Sequence, residues 1–412
     1  LKSLDTIYPE GSFLATRLSE SATKWVPGNS HGIESHTGHL LACAGDLPLL
    51  VHKSVMAPAG LSAMAACGVS IARNTETYLT ALQYEARVRE RTGLGQTAAF
   101  SYSQNDDDLM YRPVLVSNDL LQFLNNKENI ATLADRKNVA ARFSANQHIA
   151  NDFKDLQVPI VLKVATNAPN TGGAAVYVCR KRRHLKRTAA QFLDATDIIA
   201  EQYIEAVGNW CIQFAVLTDG TVLYGGASQQ ICFPNGIHAG SLIDAAQEPP
   251  AVAVDAARNA VCAGAQKGFR GACGVDVLLD RTGAAFVVDL NFRPVSSTAF
   301  VHDHTRRFGK GRCGTARLAF CHYGGALARF LDICRDGFEE GWLVPLATFD
   351  PDYGNLGPGP SRIRMMIVSD DMDRLMHRER QLLSRNIQFD TIADVCKTRP
   401  KWPLSISRFF RR

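Results

Sequence analysis

The chain has 412 residues, 46% hydrophobic and 21% charged, which suits a globular protein of two to four domains and excludes a disordered chain. Its net charge of +5 suits anionic ligands such as nucleotides but is too small and too dispersed to argue for nucleic-acid binding. No run approaches the roughly 20 apolar residues of a membrane helix. The 11 Cys form no C-x-x-C pair, so they read as reduced, buried thiols of a cytoplasmic protein and give no support to a structural zinc site. The start, Leu1-Lys2-Ser3-Leu4-Asp5, lacks a secretory pattern, and its lack of an initiating Met leaves room for a short leader.

Residues 1–30 are rich in Ser, Thr, Gly and Pro. An apolar strand is expected over 47–51, an Ala-rich helix over 58–68, a charged helix over 75–92 and a strand over 98–102, which together suggest an α/β domain to about residue 117. Ser117-Asn118-Asp119 is a helix-start signal. A compact strand follows at 159–163, a Gly-containing loop at 165–173, a strand at 174–179, a helix at 185–193 and a strand at 197–201. Residues 210–217 and 221–225 read as a hairpin turning at Asp219-Gly220. A long Ala-rich helix is expected at 250–267, then a second hairpin of 274–279 and 286–290. Helices at 321–336 and 370–385 complete the chain. The divisions expected are 1–117, 118–200, 201–309 and 310–412.

The second hairpin carries the sharpest signal. Asp276 and Asp289 lie on its two arms, and Asp289 and Asn291 are two apart, so on a strand they face the same side. A few hard oxygen donors with room left for phosphate and water are what Mg²⁺ in a nucleotide site requires. The apolar run Ala285-Phe-Val-Val288 before Asp289 marks a buried strand, where an unpaired carboxylate would be costly and a bound cation would relieve it. Lys163 ends an apolar strand just before the loop holding Gly172 and Gly173, where an ammonium and backbone N–H groups can meet phosphate oxygens. The strand 197–201 runs into Glu201-Gln202-Tyr203-Ile204, which could present backbone groups to an adenine edge.

In this order these pieces resemble the ATP-grasp superfamily over roughly residues 118–295. The residues that carry the resemblance are Asn126-Lys127, Val158-Pro-Ile-Val-Leu-Lys163, Gly172-Gly173, Ile198-Ile-Ala-Glu201-Gln-Tyr-Ile204, Gly274-Val-Asp276 and Val288-Asp289-Leu-Asn291-Phe-Arg293. The resemblance implies an α/β (α+β) ATP-grasp fold with an N-terminal pre-ATP-grasp α/β domain and a C-terminal extension that completes the large domain. It implies ATP and Mg²⁺ as cofactors. Lys127 and Lys163 would contact phosphates, Thr171, Gly172 and Gly173 would form the mobile loop over them, and Glu201, Gln202, Tyr203 and Ile204 would form the adenine hinge. Asn209 stands nearer than Glu205 to the place of the ribose ligand. Asp276, Asp289 and Asn291 would bind the metal, and Arg293, with Lys163, would serve the transferring phosphate. Two departures stand out: Asp289 is one methylene shorter than the usual Glu, and Gly274 stands where some of these ligases carry an Arg.

Within the superfamily the chain is most similar to the pheganomycin-type peptide ligases. The activity so implied is ATP-dependent joining of a carboxylate to an amine through an acyl phosphate, in specialised metabolite or peptide biosynthesis. Such chemistry needs positioned charge and dryness rather than a Ser–His or Cys–His nucleophile. The partners implied are small-molecule or peptide carboxylates and amines, with a carrier protein as the alternative acceptor, a homodimer as an allowed assembly, and no nucleic acid or membrane. A phosphotransferase and a non-catalytic ATP-binding protein are the competing readings. The basic run 180–187 reads as a solvated face. His302 and His304 are candidates for the substrate pocket, as are Gln229, Gln230 and Arg258 for the acceptor side. His31, His36 and His39 are too loosely spaced to argue for a metal.

Overall fold

The computed structural model describes residues 3–18, 30–104, 112–145, 156–169, 173, 175–192, 197–309 and 314–397. The N-terminal part is a four-stranded parallel sheet in the order β3-β2-β1-β4, formed by β1 (Ser12–Ala15), β2 (Leu49–His52), β3 (Thr75–Tyr78) and β4 (Thr97–Phe100). Helices α1 (Ser30–His36), α2 (Pro58–Ala66) and α3 (Ala81–Gly93) connect it. The segment 75–92, expected as one charged helix, is a strand followed by a helix. Thr75-Glu-Thr-Tyr78 pairs with β2, and Thr80 accepts the backbone N–H of Gln83 to start α3. Glu76 thereby leaves the helix and receives Arg91 Nε at 2.5 Å from across the layer. His31 and His36 sit on α1.

Helices α4 (Asn118–Asn125) and α5 (Ile130–Leu133) lead into a small antiparallel sheet in the order β5-β8-β6-β7, made of β5 (Arg142–Ala145), β6 (Ile160–Ala165), β7 (Val176–Cys179) and β8 (Asp197–Gln202). Helix α6 (Arg182–Gln191) packs on it, with Leu185 and Phe192 joining Ile160, Leu162 and Val164 in its core. The basic run therefore begins beside β7 and continues into α6.

The remaining strands form one eight-stranded antiparallel sheet, β13-β12-β9-β10-β11-β14-β16-β15. Its members are β9 (Ala206–Val216), β10 (Val222–Cys232), β11 (His238–Asp244), β12 (Gly271–Asp280), β13 (Ala285–Asn291), β14 (Thr315–Tyr323), β15 (Leu343–Phe349) and β16 (Ser361–Ser369). Helix α7 (Ala251–Gln266) turns the small residues Ala253, Ala256, Ala257 and Ala260 onto Trp210, Phe214, Val275 and Val287, which lets its backbone lie close to the sheet. Further helices are α8 (Thr298–Phe308), α9 (Leu327–Glu339), α10 (Met372–Ser384) and α11 (Ile392–Lys397). The helix expected over 321–336 is only half right. Residues 321–323 complete β14, and Gly324-Gly325 breaks the chain before α9 begins. The N-terminal layer and the C-terminal strands share one core, in which Leu49, Val51 and Met64 meet Phe300, Leu318, Val344, Phe349 and Met366.

One helix contact reaches the site directly. A Cβ on Gly264 of α7 would lie 2.3 and 2.4 Å from two ring atoms of Phe292, which stands between Asn291 and Arg293. Gly264→Ala is expected to cost about 1–3 kcal/mol through overpacking. A shift of the denaturation midpoint with unchanged slope checks this; an unshifted midpoint would mean that Phe292 yields freely.

Candidate active site

A cleft of about 370 Å³ lies between the small sheet and the large one. Lys127, Lys163, Gly173, Glu201, Gln202, Tyr203, Ile204, Asn209, Asp276, Asp289, Asn291 and Arg293 all line it. Thr171 and Gly172 lie outside the described residues.

The hairpin of β12 and β13 sets the acidic end. Asp276 pairs directly with Asp289, and Gly274 with Asn291, so the three oxygen-bearing side chains share one face. Asp276 Oδ1 is buried without a hydrogen-bond partner. Burial, and next the charge of Asp289, raise the Asp276 carboxyl to about 7. An orphaned buried oxygen beside a second carboxylate and an amide oxygen fits a hard divalent cation; Mg²⁺ would find its donors in Asp276, Asp289 and Asn291. The smooth floor at Gly274 also has a reason: a Cβ there would lie 2.8 Å from Val295 Cγ1, so the loop after β13 occupies that side. That loop is held by Gln213, whose Nε2 donates to Ser297 Oγ at 3.1 Å and whose Oε1 accepts from Thr298 Oγ1 at 3.0 Å. Arg293 Nη1 donates to Asn291 Oδ1 at 2.5 Å.

The two lysines enter from the other lobe. Lys127 sits in a short 3₁₀ turn after α4, and its Nζ donates to Asp289 Oδ1 at 2.6 Å. Lys163 Nζ, on β6, lies 2.6 Å from Glu201 Oε2 and donates to the Val288 carbonyl at 2.8 Å. Arg142 connects the two lysines: its Nε meets Glu201 Oε1 at 3.2 Å and its Nη2 donates to the Lys127 carbonyl at 2.9 Å. Both lysines and Glu201 are buried, so these charges are held by one another rather than by water. Glu201, assigned by resemblance to the hinge, thus carries its side chain to Lys163 and Arg142.

Beyond Glu201 the chain turns along the cleft. Tyr203 accepts from Arg180 Nη2 at 2.6 Å, and the guanidinium lies over its ring at 4.8 Å. Ile204 is buried against the cleft wall. Asn209 Nδ2 donates weakly to Cys232 Sγ at 3.6 Å, and its Oδ1 has no partner. Glu205 instead faces solvent in a pair with Arg281. Gly173 has φ +79°, and a Cβ there would stand 2.7 Å from the Gly236 carbonyl, so only glycine lets this loop rest on the β10–β11 turn.

His238, Ser241 and, from the N-terminal domain, Tyr102 line the cleft and escaped the sequence reading; Arg180, expected on a solvated basic face, and His36, weighed only as a metal ligand, line it as well. Gln229 and Gln230 do line the cleft, whereas Arg258 lies on α7 and donates to the Val222 carbonyl. His302 and His304 lie on α8 within the shared core and not in the cleft lining. The alternation Ser361-Arg-Ile-Arg-Met365, two arginines on one face of an apolar strand, was a readable sign of buried cations close by.

Solved structures share this architecture. N5-carboxyaminoimidazole ribonucleotide synthetase in its ADP complex matches with TM-score 0.57 at 13% identity, over 92% of this chain and 97% of that one. The carboxyaminoimidazole ribonucleotide synthase of Aspergillus clavatus, complexed with ATP, matches at 0.55 and 11%, over 94% and 100%. The biotin carboxylase domain of Hydrogenobacter thermophilus 2-oxoglutarate carboxylase, with MgADP and bicarbonate, matches at 0.51 and 12%, over 83% and 90%. At these identities they establish the fold, ATP-grasp with a preceding N-terminal domain. The chain belongs to the ATP-grasp carboxylate–amine ligases, enzymes that work with ATP and Mg²⁺. Two models of one family place it further: the ATP-grasp model of L-aspartate–L-methionine ligase matches residues 140–291, and the N-terminal domain model of the same ligase matches residues 3–122. Among the described residues no helix is long and apolar enough to cross a membrane.

Proposed function

We propose that this ligase condenses L-aspartate with L-methionine, using ATP to activate a carboxylate of the first and the amine of the second to displace phosphate. The observation that carries the reading is the pair of matching family models laid over a cleft that gathers two lysines, two aspartates, an asparagine and an arginine. A carboxylate is a poor electrophile. Its oxygen attacks the γ-phosphorus of ATP, ADP departs, and the resulting acyl phosphate carries a good leaving group. The amine then adds to the carbonyl, phosphate leaves, and the amine's proton passes to solvent or phosphate.

The chain's own residues position and neutralise. Lys127 and Lys163 lie at the entry to the acidic hairpin, where triphosphate oxygens would replace the carboxylates they now meet. Arg293 stands at the end of β13, fixed by Asn291, where charge develops on the transferring group. Tyr203, Ile204 and Arg180 would wall the base, and Asn209 would meet the ribose. Mg²⁺, held by Asp276, Asp289 and Asn291, would supply charge neutralisation between phosphates. The Gly173 loop, resting on the β10–β11 turn, would exclude water. Free amino acids are the substrates in this reading rather than a carrier protein, and the setting is the cytoplasm, where ATP and reduced thiols coexist.

The test is direct. Incubation with ATP, Mg²⁺, aspartate and methionine should release ADP and yield the dipeptide by mass spectrometry. ADP release that depends on another acid–amine pair, with none from this one, would replace the substrates. A stable phosphoester in place of an amide would replace the reaction.

A further inference from the structure

One group behind the cleft wall, in contact with the lining residue His36, serves neither phosphate nor metal. Arg364, on β16, donates from Nη2 to His36 Nδ1 at 3.0 Å. His36 Nε2 lies 2.8 Å from the Tyr102 hydroxyl, and the Arg293 guanidinium lies over the Tyr102 ring at 5.1 Å. Because an arginine can only donate, His36 Nδ1 accepts, and the proton of the neutral ring sits on Nε2 and goes to Tyr102. Burial, with His39, Arg364 and Arg293 close by, keeps His36 well below its ordinary range. His39 stacks on His36 at 4.1 Å and, by burial and Arg364, falls to about 3. His238, which also lines the cleft, falls to about 4 through burial and Arg364. The histidines are thus neutral, and the arginines carry the charge.

No carboxylate answers Arg364 among the described residues. Its Nη1 is buried without a partner, Phe320 lies beneath its guanidinium at 5.1 Å, and the charged neighbour on its own strand is another cation, Arg362. A guanidinium nitrogen buried without a counter-ion is costly, and a substrate anion would remove that cost on binding. Three parts of the chain meet here: α1 and the segment after β4 bring His36 and Tyr102 to the cleft lining, the segment after β13 brings Arg293, and β16 sets Arg364, partly exposed, behind them.

We infer that Arg364, joined to Arg293 through His36 and Tyr102, seats a substrate carboxylate that is not activated, and so requires an amino acid with a free carboxylate at that place. This rests on the ligase reading above. Two carboxylates of the proposed substrates qualify: the second carboxylate of aspartate and the carboxylate of methionine.

The experiment compares wild type with Arg364→Met on three pairs: aspartate with methionine, asparagine with methionine, and aspartate with methioninamide. With the full pair, kcat/KM should fall about 10²-fold in the variant. If the variant no longer distinguishes aspartate from asparagine, the acid's carboxylate is the one seated. If it no longer distinguishes methionine from methioninamide, the amine's is. Arg364→Lys should retain part of the preference. An equal fall on all three pairs, or no fall, overturns the inference. ADP-induced thermal stabilisation reports folding, and Arg364→Gln gives the same comparison if the Met variant does not fold. Calorimetric binding of the same amino acids repeats the comparison without turnover. A wild type that makes no amide but binds them through Arg364 would refute the ligase reading and leave this one standing.

Discussion

Asp289→Asn is expected to lower ATP-dependent amide formation by about 10²–10³-fold and to raise the Mg²⁺ concentration needed for half-maximal rate. The substitution is nearly isosteric. Asn keeps an oxygen for Lys127 Nζ, which donates at 2.6 Å, and for the Leu290 N–H at 3.1 Å. What it removes is one negative charge from the face shared with Asp276 and Asn291. A metal site with one carboxylate instead of two binds its cation more weakly, and more Mg²⁺ should recover part of the rate. Asp289→Ala goes further: it strands the buried Lys127 ammonium, and about 1–3 kcal/mol of stability should go with it. Steady-state ADP release against Mg²⁺, beside thermal melting, separates the two effects. Asp289→Asn that turns over within about threefold of wild type at every Mg²⁺ concentration would remove this residue from the metal site.

Lys163→Met is expected to have a comparable effect on rate, about 10²–10³-fold, with a smaller one on folding. Its partner Glu201 keeps Arg142 at 3.2 Å, so the buried carboxylate is not left alone. The carbonyl of Val288 loses its donor, but that side of β13 opens to the cleft. The loss should therefore lie in kcat/KM measured well below the melting temperature. Glu201→Ala runs the other way: it leaves both Lys163 and Arg142 without a counter-charge, and about 3–5 kcal/mol of stability should be lost. A Lys163→Met enzyme that melts early but keeps its turnover would make Lys163 a structural strut between lobes.

The hairpin of β12 and β13 was legible because three signals agreed: an apolar run before Asp289, a turn at Asp280-Arg-Thr-Gly283, and the oxygen-bearing Asp289 and Asn291 two apart on one arm. Lys163 was legible as a cation ending an apolar strand. The strand at Thr75-Glu-Thr-Tyr78 was hidden because its charges continue into those of α3, and helical pairing between them is as plausible locally as cross-layer pairing. Strand β15 was hidden for another reason. Leu343–Phe349 is buried along its whole length, and a short continuous apolar run carries no period. The meeting of His36, Tyr102 and Arg364 was beyond reach, since they come from positions 36, 102 and 364 and only the folded topology brings them together.

That β14 pairs with β11 while β12 and β13 stand at the far margin of the same sheet limits how far this catalyst can be pared down. A chain truncated ahead of Thr315 would keep every phosphate-handling group yet leave Ser241–Asp244 with an open row of amide and carbonyl groups, a template for self-association. The ligase cannot be minimised to its nucleotide half, because its last strands are the selvedge that keeps the weave from unravelling.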